Sequence, residues 1–227
     1  MDSKDEWENL HRQNRFRPKY PNEAAVQWMF RNFKRDKTEK VLDIGCGAGR
    51  HTFMLAKENI IPYGIDISMP GVEYTREILR TNGDFGEYTN NIVCGTFSEL
   101  PFEDNFFDGA MAYGSLYYSD IAGIKRAIGE MSRVMKNGGR GMILVRGLQD
   151  YRYGSGKEIE KNTFIIEYNN EHASANAENG MVMHFFTKEE LTLLCTEVFS
   201  SVSIDSICVT TDGGKLANFD YVVNVVK

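Results

Sequence analysis

Residues 41–56, VLDIGCGAGRHTFMLA, end a short apolar run in three alternate glycines, Gly45, Gly47 and Gly49, with Asp43 just ahead of them. Glycines so spaced bring backbone N–H groups up against a ligand, because a Cβ would hold it off. A dinucleotide is the first candidate, but its fingerprint is G-x-G-x-x-G, and Arg50 stands where the third glycine belongs. Asp43 at the loop's entrance would repel a pyrophosphate and welcome an ammonium or sulfonium charge. Asp66 ends the next apolar run about 20 residues on, where a carboxylate can accept from both hydroxyls of a ribose. A third stretch, CGTFSELPFEDNFFD at 94–108, can enclose a base between Ile67 and Phe97, although Phe97 also suits a plain core position.

These groups need a scaffold, and the hydrophobic periods supply one. Strands are predicted at 40–44, 63–67, 91–94, 107–112 and 141–146, alternating with helices at 50–58, 70–80 and 121–136. The last helix is stopped by Asn137-Gly138-Gly139. Repeated βα units of this kind make a parallel sheet covered on both faces. Ahead of them, Asn22 caps a helix reaching about Phe33, with Val26, Met29, Phe30 and Phe33 as its apolar stripe. After Arg146, runs at 163–168 and 181–186 read as two strands joined by the polar NNEHASANAEN, a flap rather than sheet core. Thr187 and Glu190 form a capping box for a helix facing inward through Leu191, Leu194 and Val198. Strands at 201–210 and 217–225, joined by the Gly turn in TTDGGK, pair antiparallel.

A cationic, amino-acid-like head on a ribose and a base describes S-adenosylmethionine. In VLDIGCGAGRHTFMLA, YGIDIS, LPFEDNFFD and MSRVMKNGG, in that order and spacing, the chain resembles the class I S-adenosylmethionine-dependent methyltransferases, especially the small bacterial group written VLDIGCGxG. The resemblance covers residues 20–147 and, more loosely, the two final strands. It implies an α/β, Rossmann-like, doubly wound and mostly parallel seven-stranded sheet with an antiparallel final strand, plus an inserted hairpin or flap. It also implies one methyltransferase domain over 1–227: an N-terminal arm and helix (1–36), a cofactor core (37–147), a substrate-side insertion (148–186) and a C-terminal helix and strand pair (187–227). By position, Asp43, Gly45, Cys46 and Gly47 would line the methionine end, Asp66 the ribose and Ile67 the adenine, with Gly49 also in the cofactor-binding loop. Thr96 and Phe97 stand where relatives carry Asp and a small residue, so a hydroxyl replaces the usual carboxylate at the adenine edge. Tyr113 would offer a backbone carbonyl to the methionine ammonium, and Tyr20 would approach the cofactor from the start of the N-terminal helix.

The resemblance implies methyl transfer, and the acidic balance with the lack of a base-amine motif favours a small-molecule O, N or S acceptor. Such a transfer needs positioning more than a dedicated base. Catalytic candidates are Tyr117, Tyr118 and His184, and substrate-binding candidates are Tyr117, Arg146 and Tyr151. Tyr117 and Tyr118 also suit a supporting role for the next helix, His184 suits a satisfied core histidine, and a solvated Arg146 is equally compatible. A region around Tyr20 and residues 147–186 would cover the site. Alternatives are a cofactor-binding sensor or partner subunit without turnover, and a methyltransferase acting on a tRNA base or a protein.

The bulk properties bound these readings. In 227 residues, 42% are hydrophobic and 26% charged, enough to bury a core. The net charge of −6 argues against a large phosphate-backbone footprint, so DNA is not expected as a partner. AYGSLYY lacks the Asn/Asp-Pro-Pro-aromatic pattern used on exocyclic base amines. Four scattered cysteines without a CxxC pair suit a reducing compartment, and none of the four histidines has metal-ligand spacing, so no metal site is expected. The polar N-terminus and the lack of any long apolar run point to a cytoplasmic protein without a membrane partner.

Overall fold

The computed structural model describes residues 4–169 and 177–227. Five strands come first: β1 (Lys40–Ile44), β2 (Ile61–Asp66), β3 (Ile92–Cys94), β4 (Phe107–Tyr113) and β5 (Met135–Arg146). A small group follows, β6 (Gly156–Glu160), β7 (Thr163–Ile166) and β8 (Val182–His184), and the chain closes with β9 (Ser201–Thr211) and β10 (Leu216–Val226). The main sheet runs β3-β2-β1-β4-β5-β10-β9, with β1 to β5 parallel and β10 antiparallel to both of its neighbours. The Rossmann-like class is therefore the observed one. The helices are α1 (Lys4–His11), α2 (Glu23–Asn32), α3 (Arg50–Lys57), α4 (Met69–Thr81), α5 (Ile121–Val134) and α6 (Lys188–Thr196). With β2 on one side of β1 and β4 on the other, the strand order reverses there and a crevice opens at the carboxyl ends.

Alternating burial explains the layering. Leu42, Ile44, Phe107, Ala110, Ala112, Ile143 and Val145 join the inner residues of α5 and of β7 and β8 in the larger core cluster. Val41, Met111, Met142 and Leu144 instead pack on Trp28, Met29, Met54 and Leu55 of α2 and α3. Tyr63, Phe102, Phe106 and Phe107 meet edge to face at centroid separations of 4.9–6.1 Å, the geometry their quadrupoles favour.

Several boundaries move. The stripe of α2 is Ala25, Trp28, Met29 and Phe33, while Phe30 lies outside it at 46% exposure. Asn22 is the N-cap residue, but its side chain makes no capping bond and its backbone N–H donates instead to His51 Nε2 at 3.3 Å. Helix α5 ends at Val134, two residues early, because Met135 is already extended and pairs with Phe107, so the Asn-Gly-Gly turn falls inside β5. The insertion is a three-stranded sheet β6-β7-β8 rather than a two-stranded flap. Most of the polar joining stretch, residues 170–176 with His172 among them, lies outside the described residues. Thr187 accepts from Glu190 N–H as its capping box requires, and α6 turns Leu191 and Cys195 inward while Val198 is left exposed.

The Asn22–His51 bond ties the start of α2 to the first turn of α3. Burial, then the charge of Arg50, push the His51 pKa down to about 3. The folded protein therefore binds fewer protons there than the unfolded chain below pH 6.5. The stability contribution is complete above pH 6.5 and is lost as pH falls toward 3, at about 1.4 kcal/mol per unit. His51→Gln keeps an acceptor that does not titrate, and its urea midpoint is expected to fall less steeply between pH 7 and 4.5. Parallel pH dependence in the two proteins would remove His51 as a source of acid lability.

Candidate functional site

The glycine loop sits at the crevice, and its conformation explains its composition. Gly45, Gly47 and Gly49 have φ of 77°, 52° and 76°, the left-handed region that a Cβ disfavours. A Cβ on Gly45 would also lie 2.3 Å from Ser115 Cβ, and one on Gly49 would lie 2.6 Å from Thr75 Oγ1. Those neighbours are fixed, for Ser115 Oγ donates to Ile44 O at 2.7 Å and Thr75 Oγ1 to Gly47 O at 2.9 Å. Asp66, at the end of β2, accepts from Gly47 N–H at 2.7 Å through Oδ2 and from Ser68 N–H at 2.8 Å through Oδ1. Its pKa is raised, chiefly by burial, with the neighbouring His11 imidazole and these two N–H groups pulling it back.

A cavity of about 160 Å³ opens above the loop. Gly45, Gly47, Asp66 and Ile67 form its floor, Thr96 and Phe97 one end, and Gly114, Ser115 and Tyr118 the other. Trp7 and His11 of α1 close it from above. Of the residues singled out in the sequence, Gly45, Gly47, Asp66, Ile67, Thr96, Phe97 and Tyr118 thus share one cavity. The Thr96 hydroxyl lies 2.9 Å from Ser98 Oγ and accepts from Ser98 N–H at 3.3 Å, so it also holds its own turn.

Others stand behind the wall. Asp43 is buried, accepts from Thr52 Oγ1 at 2.8 Å, and has its pKa raised to about 6 by burial against the opposing effects of Thr52 and Arg50. The Cys46 side chain is buried with Val72 and Ile92, and its pKa is driven well up by that burial. Gly49 caps α3. Tyr113 packs on His51 at 4.9 Å, lies 5.6 Å beneath the Arg50 guanidinium and has its pKa pushed up to about 12 by burial.

Five candidates are not brought to the cavity. Tyr20 is 82% exposed, and α1 takes the covering position expected of it. His184 lines a separate cavity beside α6, where its Nδ1 is 2.7 Å from Thr163 Oγ1 and its Nε2 3.2 Å from Glu190 Oε2. Tyr117 is buried beneath Arg146, 5.1 Å from its guanidinium. Tyr151 packs on Tyr168 and on Arg152.

Arg146, expected to meet a substrate or solvent, instead belongs to a buried ion cluster. It donates to Asp150 at 3.1 Å and to Glu178 at 3.4 Å, with Asp220 3.7 Å away. Arg152 donates to the same Asp150 at 3.0 Å and to Glu178. Glu178 also accepts from Tyr118 Oη at 2.7 Å, so the cluster holds a wall of the cavity in place. The Tyr118 ring meets Trp7 edge to face at 4.8 Å. Burial, then the charge of Glu178, hold the Tyr118 pKa well above its usual value, which keeps it protonated. Trp7, His11, Ser115 and Glu178 are the residues that sequence reasoning missed; the one signal available was Trp7 and His11 at i and i+4, on one face of a helix. Among the described residues no group of three or more His, Cys, Asp or Glu is arranged to hold a metal, and no helix is long and apolar enough to cross a membrane.

Residues 41–139 match the family model described as a methyltransferase domain. The chain is 30% identical over 145 residues to an uncharacterized methyltransferase of Mycobacterium tuberculosis, covering 64% of this chain and 53% of that protein. It is 30% identical over 141 residues to a demethylmenaquinone methyltransferase of Symbiobacterium thermophilum, covering 61% and 49%. The chain therefore spans about half the length of these curated relatives. Among solved structures, an S-adenosylmethionine-dependent methyltransferase of Methanosarcina mazei superposes with a TM-score of 0.72 at 23% identity, covering 92% of this chain and 98% of that one. With the strand order, the glycine loop and Asp66 in place, residues 41–139 are similar to a methyltransferase domain, and the chain shares the fold of that S-adenosylmethionine-dependent methyltransferase.

Proposed function

We propose that this protein transfers a methyl group from S-adenosylmethionine to a small-molecule acceptor held in the cavity against the paired rings of Trp7 and Tyr118. The observation that carries the reading is the cavity, which runs from Asp66, Ile67 and Phe97 at one end to Ser115 and Tyr118 at the other beneath α1. The donor set fits the cofactor. Asp66 has two of its roughly four lone-pair sites filled by N–H groups, leaving sites for the two ribose hydroxyls. Ile67 and Phe97 offer apolar faces to the adenine. Asp43 is a buried carboxylate behind the loop, and a sulfonium or ammonium nearby offsets the cost of its burial. Bound there, the cofactor supplies a methyl group on a good leaving group.

The chain's own part is positioning. Trp7 and Tyr118 present ring faces and edges that orient an acceptor and keep water away from the methyl group. Tyr118 is held protonated by burial and then by Glu178 and serves as a wall, which favours acceptors that react without a strong base, such as a thiol, an amine or an acidic hydroxyl. A polymer would have to displace α1 to reach the same point. In this reading residues 1–227 act as one unit, with 37–147 holding the cofactor and 148–186 bracing the acceptor side through Glu178.

Labelled methyl donor, incubated separately with small-molecule, RNA and protein fractions of a cell extract, tests the assignment. Label is expected in the small-molecule fraction alone. Transfer to RNA or protein would overturn the acceptor class, and cofactor binding without transfer to any fraction would favour a sensor.

Asp43 gives a second test, by way of stability. Between pH 3.8 and about 6 the folded protein binds more protons at Asp43 than the unfolded chain does. Stability therefore falls as pH rises through that window, by roughly 2–3 kcal/mol in all. Asp43→Asn keeps an acceptor for Thr52 and carries no charge. It is expected to unfold at a higher temperature than the wild type at pH 7.5 without ligand, to show no such gain at pH 4, and to bind S-adenosylhomocysteine about tenfold more weakly. Equal stability of the two proteins at pH 7.5 would contradict the uncompensated carboxylate.

A further inference from the structure

His11 carries a buried imidazole at the cavity. It is 7% exposed, lines the cavity, and leaves Nδ1 buried with no hydrogen-bond partner among the described residues. Its ring lies across two glycines from different segments: a Cβ on Gly71 would come within 2.8 Å of Nδ1, and one on Gly47 within 3.3 Å of Nε2. The same point on Gly47 is 4.0 Å from Asp66 Oδ2. The imidazole and the Asp66 carboxylate therefore flank one notch in front of Gly47, which the missing side chain leaves open. Burial pushes the His11 pKa down against the pull of Asp66, so the ring is neutral and has one proton to place. Nδ1 has no acceptor among the described residues, and an orphaned buried N–H is rarer than an under-satisfied acceptor. The proton therefore belongs on Nε2, facing the notch.

We propose that His11 is part of the cofactor site, with Nε2–H donating to a ribose hydroxyl oxygen whose own proton is accepted by Asp66. The arrangement satisfies a hydroxyl as both acceptor and donor. It also makes α1 a closing element specific for a nucleoside with an intact diol. His11 and Trp7 lie one turn apart on the same face of α1, with ring centroids 5.6 Å apart. Engagement of the ribose by His11 thus sets Trp7 against Tyr118 at the far end of the cavity. The inference rests on the reading of Asp66 as the ribose acceptor.

Calorimetry with S-adenosylhomocysteine and its 2′,3′-dideoxy analogue separates the two claims. The wild type is expected to prefer the intact ribose by more than tenfold, and Asp66→Asn to lose most of that preference. His11→Phe is expected to bind S-adenosylhomocysteine about tenfold more weakly and the dideoxy analogue within twofold of the wild type, the loss of one hydrogen bond. His11→Gln, which retains an N–H donor, should recover most of the difference. If the wild type does not discriminate, the Asp66 reading falls and this inference with it. If the wild type discriminates and His11→Phe weakens both ligands equally, or neither, only the role of His11 is overturned. Should the His11 variants fail to fold, imidazole nitrogen shifts in the unmodified protein decide. A change at Nε2 with S-adenosylhomocysteine but not with the dideoxy analogue supports the contact, and identical changes with both overturn it.

Discussion

One carboxylate organises the site. Asp66 accepts from Gly47 N–H in the glycine loop and from Ser68 N–H at the start of α4, two segments that share no ladder with each other. Both donors are of the kind regular structure leaves over, one in a loop of left-handed residues and one at a helix N-cap. By taking both, Asp66 draws α4 over the loop, and Thr75 completes the contact by donating to Gly47 O. Gly71 and Gly47 allow the approach, since a Cβ on Gly71 would sit 3.0 Å from Gly47 O. Removing this carboxylate would loosen the loop and the helix as well as the cavity floor.

Buried charge is treated in two opposite ways across the molecule. Asp43 and Asp66 are undercompensated, and burial is the leading cause of the rise in both pKa values. Such a site holds its charge at some expense of stability and gains from a ligand that brings donors or positive charge. The cluster of Arg146, Arg152, Asp150 and Glu178 is instead paired within itself. Ion pairs of this kind add little net stability over apolar residues, yet breaking one member leaves an uncompensated charge, so they fix geometry. Here the geometry fixed is that of the insertion: Asp150 accepts from Phe219 N–H at 3.1 Å, and Arg152 donates to Asn218 at 3.2 Å, tying 147–152 to β10.

Contiguous patterns were legible in the sequence, and long-range pairings were not. The βα units carry periods of two and 3.6, which place β1, β2, β4 and α4 to within two residues of their observed ends. The glycine loop, Asp66, Ile67 and Phe97 stand together because one motif with fixed spacing carries them to one crevice. By contrast, α1 reads as KDEWENLH, too short and polar to announce a packed helix, and its position depends on tertiary contact with α4. Strand β6 is GKEIE, mostly exposed and therefore without an inward period. Phe30 and Trp28 differ by two positions on one helix, and which of them faces the core is decided by where α2 meets α3 and β5. Arg146 and Glu178 lie 32 positions apart, so no local pattern pairs them.

The two ends of the cavity therefore have different origins. The end at Asp66, Ile67 and Phe97 is built by the stretch that matches the methyltransferase model, largely through backbone groups and a carboxylate. The opposite end is built by ring faces: Trp7 comes from α1, outside that stretch, and Tyr118 is held by Glu178, which also lies outside it. A change in α1 or in residues 148–186 alters what can stand against those rings without touching the Asp66–Gly47 bond. On the proposed reading, specificity for an acceptor can diverge while the floor at Asp66 stays constant, the division expected when function is grafted on a shared fold. His11 bridges the two ends, since it sits over Gly47 at the floor and one helical turn from Trp7 at the opposite wall. Through that single helix, the end of the cavity at Asp66 is joined to the end at Tyr118.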